Sequence, residues 1–176
     1  MTIIGVIIAG VILSTSMITL VDYQNALARI RFQQQHVAVG NLLASEGVEL
    51  ARGVRDVNFA PGNRSNASIT WDRGLNNGVY AQDYTLDLTN GFTLSTGCNE
   101  TNLNDSCRLW QDPTTGLFSH TPGLSEELRI YRFIEVSDTI PPDSTKKKVV
   151  STVILEGRGD VRSQYKAATI LYNTDL

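Results

Sequence analysis

The first 57 residues carry a continuous helical pattern of apolar positions that changes character once along its length. Residues 1–21 contain no Asp, Glu, Lys or Arg, and Asp22 is the first charged side chain. At about 1.5 Å per residue, a helix over this segment spans roughly 31 Å, close to the hydrocarbon thickness of a bilayer. No proline occurs before Pro61. The pattern therefore predicts one long helix, membrane-like over residues 1–21 and continuing through residues 22–57.

Between residues 22 and 57 the apolar residues recur at helical spacing, and we expect this stripe to pack on the chain's own sheet. The stripe comprises Tyr23, Leu27, Ile30, Val37, Leu43, Gly47, Leu50, Val54 and Val57. The opposite, polar face comprises Arg29, Arg31, Gln33, Gln35, Glu46, Glu49, Arg52 and Asp56. Glycines within a helix lower its propensity, so Gly40, Gly47 and Gly53 indicate either a close backbone approach or a place where the helix can stretch.

After Pro61-Gly62 the period changes from helical to alternating, which predicts a β-rich domain over residues 58–176. The expected strands lie at residues 69–71, 80–88, 92–94, 108–111, 116–119, 128–137, 147–156 and 164–172. Turns are expected at Asn77-Gly78, Asn90-Gly91 and residues 157–160. The predicted fold class is α+β, with a long N-terminal helix packed on a C-terminal antiparallel β-sheet.

Composition restricts the chain to one modest soluble core, because about 120 of its residues follow the helix. The formal net charge of −3 gives no electrostatic reason to expect nucleic acid. For an exported domain, we expect Cys98 and Cys107 to form a disulfide, and two free thiols in a reducing compartment are the alternative. The opening run lacks the basic region and the cleavage zone of a secretory signal, so we expect it to be retained.

Two stretches of the sequence resemble type IV pilins and pseudopilins. Residues 1–9, MTIIGVIIA, are similar in register to the mature N-termini of that family, which begin with Phe or Met, then Thr-Leu-Ile-Glu and an apolar run. Residues 42–56, LLASEGVELARGVRD, resemble the helix end of certain minor-pilin-like proteins. The strand, Gly-containing turn and final strand of residues 149–173 follow the same outline, so the resemblance implies a pilin-like fold.

The resemblance also implies a mature subunit whose leader has been removed and whose processed, N-methylated amine is that of Met1. The residues that would form the filament core are Ile3, Ile4, Gly5, Val6, Ile7, Ile8, Val11 and Ile12. Gly5 departs from the family, whose members carry there a Glu thought to pair with a neighbouring subunit's amine. Asp22 departs too, because many major pilins carry Pro at that position. Gly5 removes a buried carboxylate and its pairing, which suggests either a tip or initiating role or a filament held by apolar helix packing alone.

The resulting interpretation is a non-enzymatic structural subunit of a type IV pilus or pilus-like filament, serving adhesion or motility. Its expected partners are copies of itself or other pilins in a helical filament, the inner (cytoplasmic) membrane before assembly, and a receptor on a host or other surface. We expect a single-pass membrane protein that later enters an extracellular filament, with no cofactor, no metal and no nucleic acid. The alternative, from another class, is a monomeric membrane-anchored extracytoplasmic binding module. A short basic leader ending in Gly before Met1 in the encoded precursor would favour the filament.

Three motifs that could carry chemistry also have a plainer structural explanation. His36 and His120 lack neighbours at metal-ligand spacing, so we expect both at the surface. Residues 163–166 match the Ser-x-x-Lys nucleophile pattern, but they open a predicted strand, which would put Ser and Lys on opposite faces. Arg158-Gly159-Asp160 is the tripeptide that integrin-type receptors read, and it is also what an ordinary hairpin turn carries.

Three polar stretches could also bind a ligand or carry a modification. The loop at residues 99–105 has only two carboxylates and lacks the glycine of a calcium loop. Lys146–Lys148 is the main basic concentration, and we interpret it as a solvated turn rather than a contact to DNA phosphates. Four Asn-x-Ser/Thr tripeptides begin at Asn63, Asn66, Asn99 and Asn104, and the sequence leaves open whether any carries a glycan.

Overall fold

A computed structural model describes residues 3–60, 63, 69–80, 98–112, 114–119, 129–139, 142–157 and 162–173. The described elements are helix α1 (Ile3–Asn58), strand β1 (Gly78–Tyr80), a 3₁₀ helix (Asp105–Cys107), and strands β2 (Arg108–Gln111), β3 (Phe118–Ser119), β4 (Arg129–Asp138), β5 (Lys146–Glu156) and β6 (Arg162–Tyr172). The chain divides into two compact units, residues 1–38 and 39–176. Helix α1 contributes residues to both units.

Helix α1 runs unbroken for 56 residues and ends one residue beyond the predicted position. Its last turn is closed by hydrogen bonds from the segment that follows, which satisfy carbonyls that a helix end leaves without partners. The Phe59 amide donates to the carbonyl of Arg55 at 3.1 Å. Asn58 is buried, and its side-chain amide donates to the carbonyl of Arg73 at 2.9 Å. The single long helix is therefore confirmed over its described residues.

Strand β4 has neighbours on both of its edges. It pairs along its whole length with β5, which in turn pairs along its whole length with β6. On its other edge, residues 130–131 pair with β2 and residues 134–136 pair with β1. All of these pairings are antiparallel, and the strand order is β3-β2-β4-β5-β6 with β1 also on β4.

Two apolar clusters hold the later part of α1 on one face of the sheet, here called the near face. The first comprises Leu43, Ala44, Leu109, Ile130, Val153 and Leu155. The second comprises Ala51, Val54, Leu75, Ile134, Val136, Val149 and Leu171. Each large aliphatic side chain fully buried in this way contributes about 1.5–3 kcal/mol. The helix-on-sheet α+β arrangement that the alternating pattern predicts is thereby confirmed within residues 39–176.

Polar side chains lie on the near face between the two apolar clusters. Arg132 Nη1 lies 3.1 Å from Glu46 Oε2, and the Arg132 side chain is 1% exposed. Ser151 is buried on β5, directly under Gly47, and a Cβ atom added at Gly47 would overlap its hydroxyl. The prediction that Glu46 lies on the face of the helix opposite the apolar stripe is wrong, because Glu46 contacts the buried guanidinium of Arg132 on the sheet.

A third apolar cluster covers the opposite, far face of the sheet. It comprises Cys98, Cys107, Tyr131, Phe133 and Ile154, with Val79 and Leu103 packed against it. Successive residues of a strand point to opposite faces, so β4 supplies Ile130 and Ile134 to the near face and Tyr131 and Phe133 to the far face. Burial on both faces explains why β4 carries so few exposed side chains.

The predicted hairpin at residues 108–119 and the three long strands at the C-terminal end are confirmed as β2–β3 and β4–β6. The prediction of a strand at residues 69–71 is wrong. Trp71 instead begins a turn. In this turn the backbone amide of Arg73 donates to the carbonyl of Thr70 at 3.1 Å, and Gly74 has a φ of 81°. Gly78, predicted to form a turn with Asn77, instead lies in strand β1. Of the strand predicted at residues 80–88, only Tyr80 is described, and it belongs to β1. The turn at Asn90-Gly91, the strand at residues 92–94 and most of the turn at residues 157–160 lie outside the described residues.

Candidate functional site

Every large apolar side chain at the start of α1 is exposed, from Ile3 at 80% to Val21 at 46%. Seven of the predicted filament-core residues belong to this set, namely Ile3, Ile4, Val6, Ile7, Ile8, Val11 and Ile12. Gly5 is exposed among them, and Met1 lies outside the described residues. By length and composition, α1 qualifies as a membrane span. This candidate site, the apolar segment (residues 3–21), is an apolar surface without cover in the isolated chain.

Hydroxyl side chains within the apolar segment bond to the helix itself. Ser14 Oγ donates to the carbonyl of Gly10 and Ser16 Oγ to the carbonyl of Ile12, each at 2.8 Å. Thr19 Oγ1 donates to the carbonyl of Ser16 at 2.9 Å. In an apolar medium an unsatisfied hydroxyl costs several kcal/mol, and these internal bonds avoid that cost. The segment is therefore suited to lipid or to other apolar helices, despite its polar residues.

Ionisable side chains are absent from residues 3–21, which settles what chemistry this segment can offer. Its polar side chains are the hydroxyls of Ser14, Thr15, Ser16 and Thr19, which are already hydrogen-bonded. Gly5 supplies no carboxylate, so an incoming ammonium group would find no counter-charge here. The only interaction that the segment can make strongly is apolar packing.

The apolar stripe of α1 is buried over only part of its predicted length. Tyr23, Ile30 and Val37 belong to the predicted stripe and are exposed. Burial begins at Gly40 and includes Leu43, Ala44, Gly47, Val48, Ala51, Val54 and Asn58. The expectation of packing on the chain's own sheet is thus correct from residue 40 onward.

The disulfide between Cys98 and Cys107 is confirmed, and both cysteines are buried in the far-face cluster. The loop that it closes exposes residues 99–102. Glu100 forms an ion pair with Lys166 of β6, and the hydrogen bond from Lys166 lowers the pKa of Glu100 below its ordinary value. A buried covalent link and a surface ion pair therefore hold a polar loop on the far face.

The lysine run at the start of β5 is largely neutralised by carboxylates. Lys147 Nζ lies 2.8 Å from Asp138 Oδ1, and the hydrogen bond from Lys147 lowers the pKa of Asp138. Lys146 Nζ lies 2.9 Å from Asp143 Oδ2, and this contact raises the pKa of Lys146. These contacts favour the interpretation of the run as a structured turn, because two of its three charges already have counter-charges.

The remaining sequence motifs are not brought together into a site. Ser163 and Lys166 both lie on β6, three residues apart, and a strand places such residues on opposite faces. His36 lies half-buried on α1, whereas His120 and Arg158-Gly159-Asp160 lie outside the described residues. Within the described ranges, no group of three or more His, Cys, Asp or Glu residues could hold a metal ion.

Sequence reasoning missed the Glu46–Arg132 pair. The signal for it was present in β4, where Arg132 falls on the same alternating face as Ile130 and Ile134. A charged residue on an otherwise apolar strand face requires a buried partner. Glu46 is the helical residue that supplies it.

Comparisons of this chain with protein-family models, curated proteins and solved structures find no match.

Proposed function

We propose that this chain is a type IV pilin-like subunit, which polymerises through the apolar segment and displays the sheet domain on the filament surface. The observation that carries the proposal is that the two ends of α1 differ in their surroundings. One unbroken helix of 56 residues is apolar and exposed at its start, whereas its later part is packed on an antiparallel sheet. The resemblance of residues 1–9 and 42–56 to pilin-like proteins supports the same function.

The physical reason for assembly is that the apolar segment needs an apolar environment. Lipid supplies this environment before assembly, and the same segments of neighbouring subunits supply it afterwards. Burying one Ile or Val side chain contributes about 1.5–3 kcal/mol, and the apolar segment offers several. A subunit leaving the bilayer therefore enters a helix bundle, because exposure of these side chains to water is the costly alternative.

Gly5 makes this assembly depend on packing alone. With no carboxylate between residues 3 and 21, a neighbouring amine gains no ion pair from this segment. The absence of a buried carboxylate also removes the cost of placing one in the bilayer. A subunit of this kind is suited to a filament tip, where one end of the helix bundle has no further neighbour to pair with.

The test introduces a charge into the apolar segment and measures incorporation into filaments. Ile7→Asp or Val11→Asp should abolish incorporation into sheared surface filaments, as detected by electron microscopy and mass spectrometry of this chain. Ile7→Leu, which preserves apolar volume, is the control and should assemble normally. The membrane fraction of each variant shows whether the subunit still enters the bilayer. Normal filament yield from an Asp variant would refute the proposal, and a wild-type chain found only as a membrane-bound monomer would favour the anchored binding module.

A further inference from the structure

The structure describes three of the four asparagines that begin Asn-x-Ser/Thr tripeptides, and their side chains differ in exposure. The Nδ2 of Asn63 donates to the carbonyl of Val57 at 2.9 Å, at the end of α1. Asn104 is half-buried, and its Oδ1 accepts from the amide of Ser106 at 3.0 Å as the cap of the 3₁₀ helix. Asn66 lies outside the described residues. Asn63 and Asn104 therefore have structural roles close to the protein surface.

Asn99 differs from Asn63 and Asn104 in exposure, whereas its Oδ1 accepts hydrogen bonds from the residue two positions further on, as that of Asn104 does. It is exposed, and its Oδ1 accepts from the amide of Thr101 at 2.9 Å, from the Thr101 hydroxyl at 2.7 Å and from the amide of Asn102 at 2.8 Å. Two backbone N–H groups donate to this atom, so it must be the oxygen of the side-chain amide. In the described part of the chain, Asn99 Nδ2 makes no hydrogen bond.

We propose that Asn99 is an N-glycosylation site that receives a saccharide from a lipid-diphosphate-linked donor. In this reaction a bond forms between Asn99 Nδ2 and the anomeric carbon of the sugar. The bond from that carbon to the donor diphosphate breaks, the lipid diphosphate leaves, and Nδ2 loses one proton. Oδ1 is untouched, so the product keeps all three of the hydrogen bonds that Oδ1 accepts.

The surroundings of Asn99 fit a bulky, polar modification. Cys98 and Cys107 are buried on the far face, whereas residues 99–102 between them are exposed. A glycan at Asn99 would extend from the outer side of this loop without displacing the buried disulfide. The inference rests on the exported sheet domain of the proposed function, since such donors act on exported chains, but it does not require a filament.

The experiment uses the full chain purified from cells that carry a lipid-linked saccharide transferase. Glycopeptide mass spectrometry, with fragmentation that localises the sugar, should find the added mass on Asn99. Asn99→Gln and Thr101→Ala should each reduce this mass to background, and Thr101→Ser, which keeps the tripeptide pattern, should retain it. Asn63→Gln is the control and should leave it unchanged. Disulfide formation in each variant shows that the loop has folded.

An unmodified Asn99 in the mature chain would overturn the inference. A chain that carries a glycan on Asn104 or Asn63 but none on Asn99 would overturn it too. Filament incorporation is measured in the same preparations, so the two proposals fail separately. Filaments that contain a subunit with unmodified Asn99 would refute only the proposed glycosylation. A glycosylated chain that never enters filaments would refute only the pilin-like function.

Discussion

The close approach of α1 to the sheet at Gly47 yields a prediction with two opposing terms. A Cβ atom at Gly47 would overlap Ser151 Oγ and would lie 3.4 Å from Ile134 Cδ1. Ser151 and Ile134 are both buried, so neither can move into solvent. Gly47→Ala gains about 1 kcal/mol of helix propensity. Overpacking a buried contact costs about 1–3 kcal/mol, so we expect a net loss of roughly 1 kcal/mol in the free energy of unfolding.

Gly53 supplies the matched control in the same helix. No heavy atom lies within 4 Å of a Cβ built at Gly53, so Gly53→Ala gains the helix propensity without the clash. This variant should be stabilised by up to about 1 kcal/mol. The difference between the two variants, about 2 kcal/mol, isolates the overpacking term.

Unfolding of the full chain in detergent micelles, followed by tryptophan fluorescence, measures these differences. Trp71 packs against the near-face cluster that contains Ala51 and Val54, so its emission should report separation of α1 from the sheet. The midpoint of denaturant unfolding should fall for Gly47→Ala and rise for Gly53→Ala. Equal midpoints for the two variants would refute the close approach of α1 to β5.

Two further predictions concern the disulfide loop and the turn before β5. Replacing both Cys98 and Cys107 with Ala should cost about 2.5 kcal/mol, the loop-closure estimate for a sequence separation of 9, and an unchanged unfolding midpoint would contradict it. The hydrogen bond from the Thr145 hydroxyl is the main cause that lowers the pKa of Asp143 from an ordinary 3.8 to about 2. The stability that Asp143 contributes is therefore present above about pH 4 and is lost as the pH falls through 2. Asp143→Asn should remove this part of the acid-induced loss, measured as unfolding free energy against pH, and an unchanged profile would contradict the reasoning.

The elements that could be predicted from sequence are those whose pattern has one physical explanation. A stretch without proline whose apolar residues recur at helical spacing has few alternatives to a helix, and α1 continues to Asn58. Strands β4, β5 and β6 were predictable because each stretch of ten or more residues is rich in β-branched and aromatic residues and contains no Gly or Pro. Their ends fall within two residues of the predicted ones.

Periodicity shows which residues share a face, but it does not show what covers that face. Tyr23 and Ile30 have the same helical spacing as Leu43 and Val54, yet only the second pair is buried on the sheet. The glycines illustrate the same limit. A Cβ atom added at Gly40 or Gly47 would overlap Tyr165 or Ser151, respectively, whereas one added at Gly53 would have no heavy atom within 4 Å. Which glycine permits close approach depends on the partner strand, and one-dimensional spacing does not contain that information.

The Glu46–Arg132 pair allows a decisive test of how burial sets the strength of an ion pair on this helix. The pair is separated by 3.1 Å, with the Arg132 side chain 1% exposed and that of Glu46 27% exposed. Three residues along α1, Glu49 and Arg52 form a shorter pair at 2.6 Å, but their side chains are 63% and 43% exposed. Distance alone would rank the exposed pair as the stronger one. Burial predicts the opposite order.

Glu46→Gln removes the negative charge that Glu46 places beside the buried Arg132 guanidinium, and removing one partner of a buried pair costs about 3–5 kcal/mol. We expect about 3 kcal/mol, the lower end, because Glu46 is partly exposed. Glu49→Gln, the matched control, should cost less than about 1 kcal/mol, as exposed pairs do. Because apolar residues replace a buried pair at little cost, Glu46→Leu combined with Arg132→Met should recover most of the loss. Denaturant unfolding of the four proteins measures these differences, and equal costs for Glu46→Gln and Glu49→Gln would mean that Arg132 is solvated rather than enclosed beneath α1.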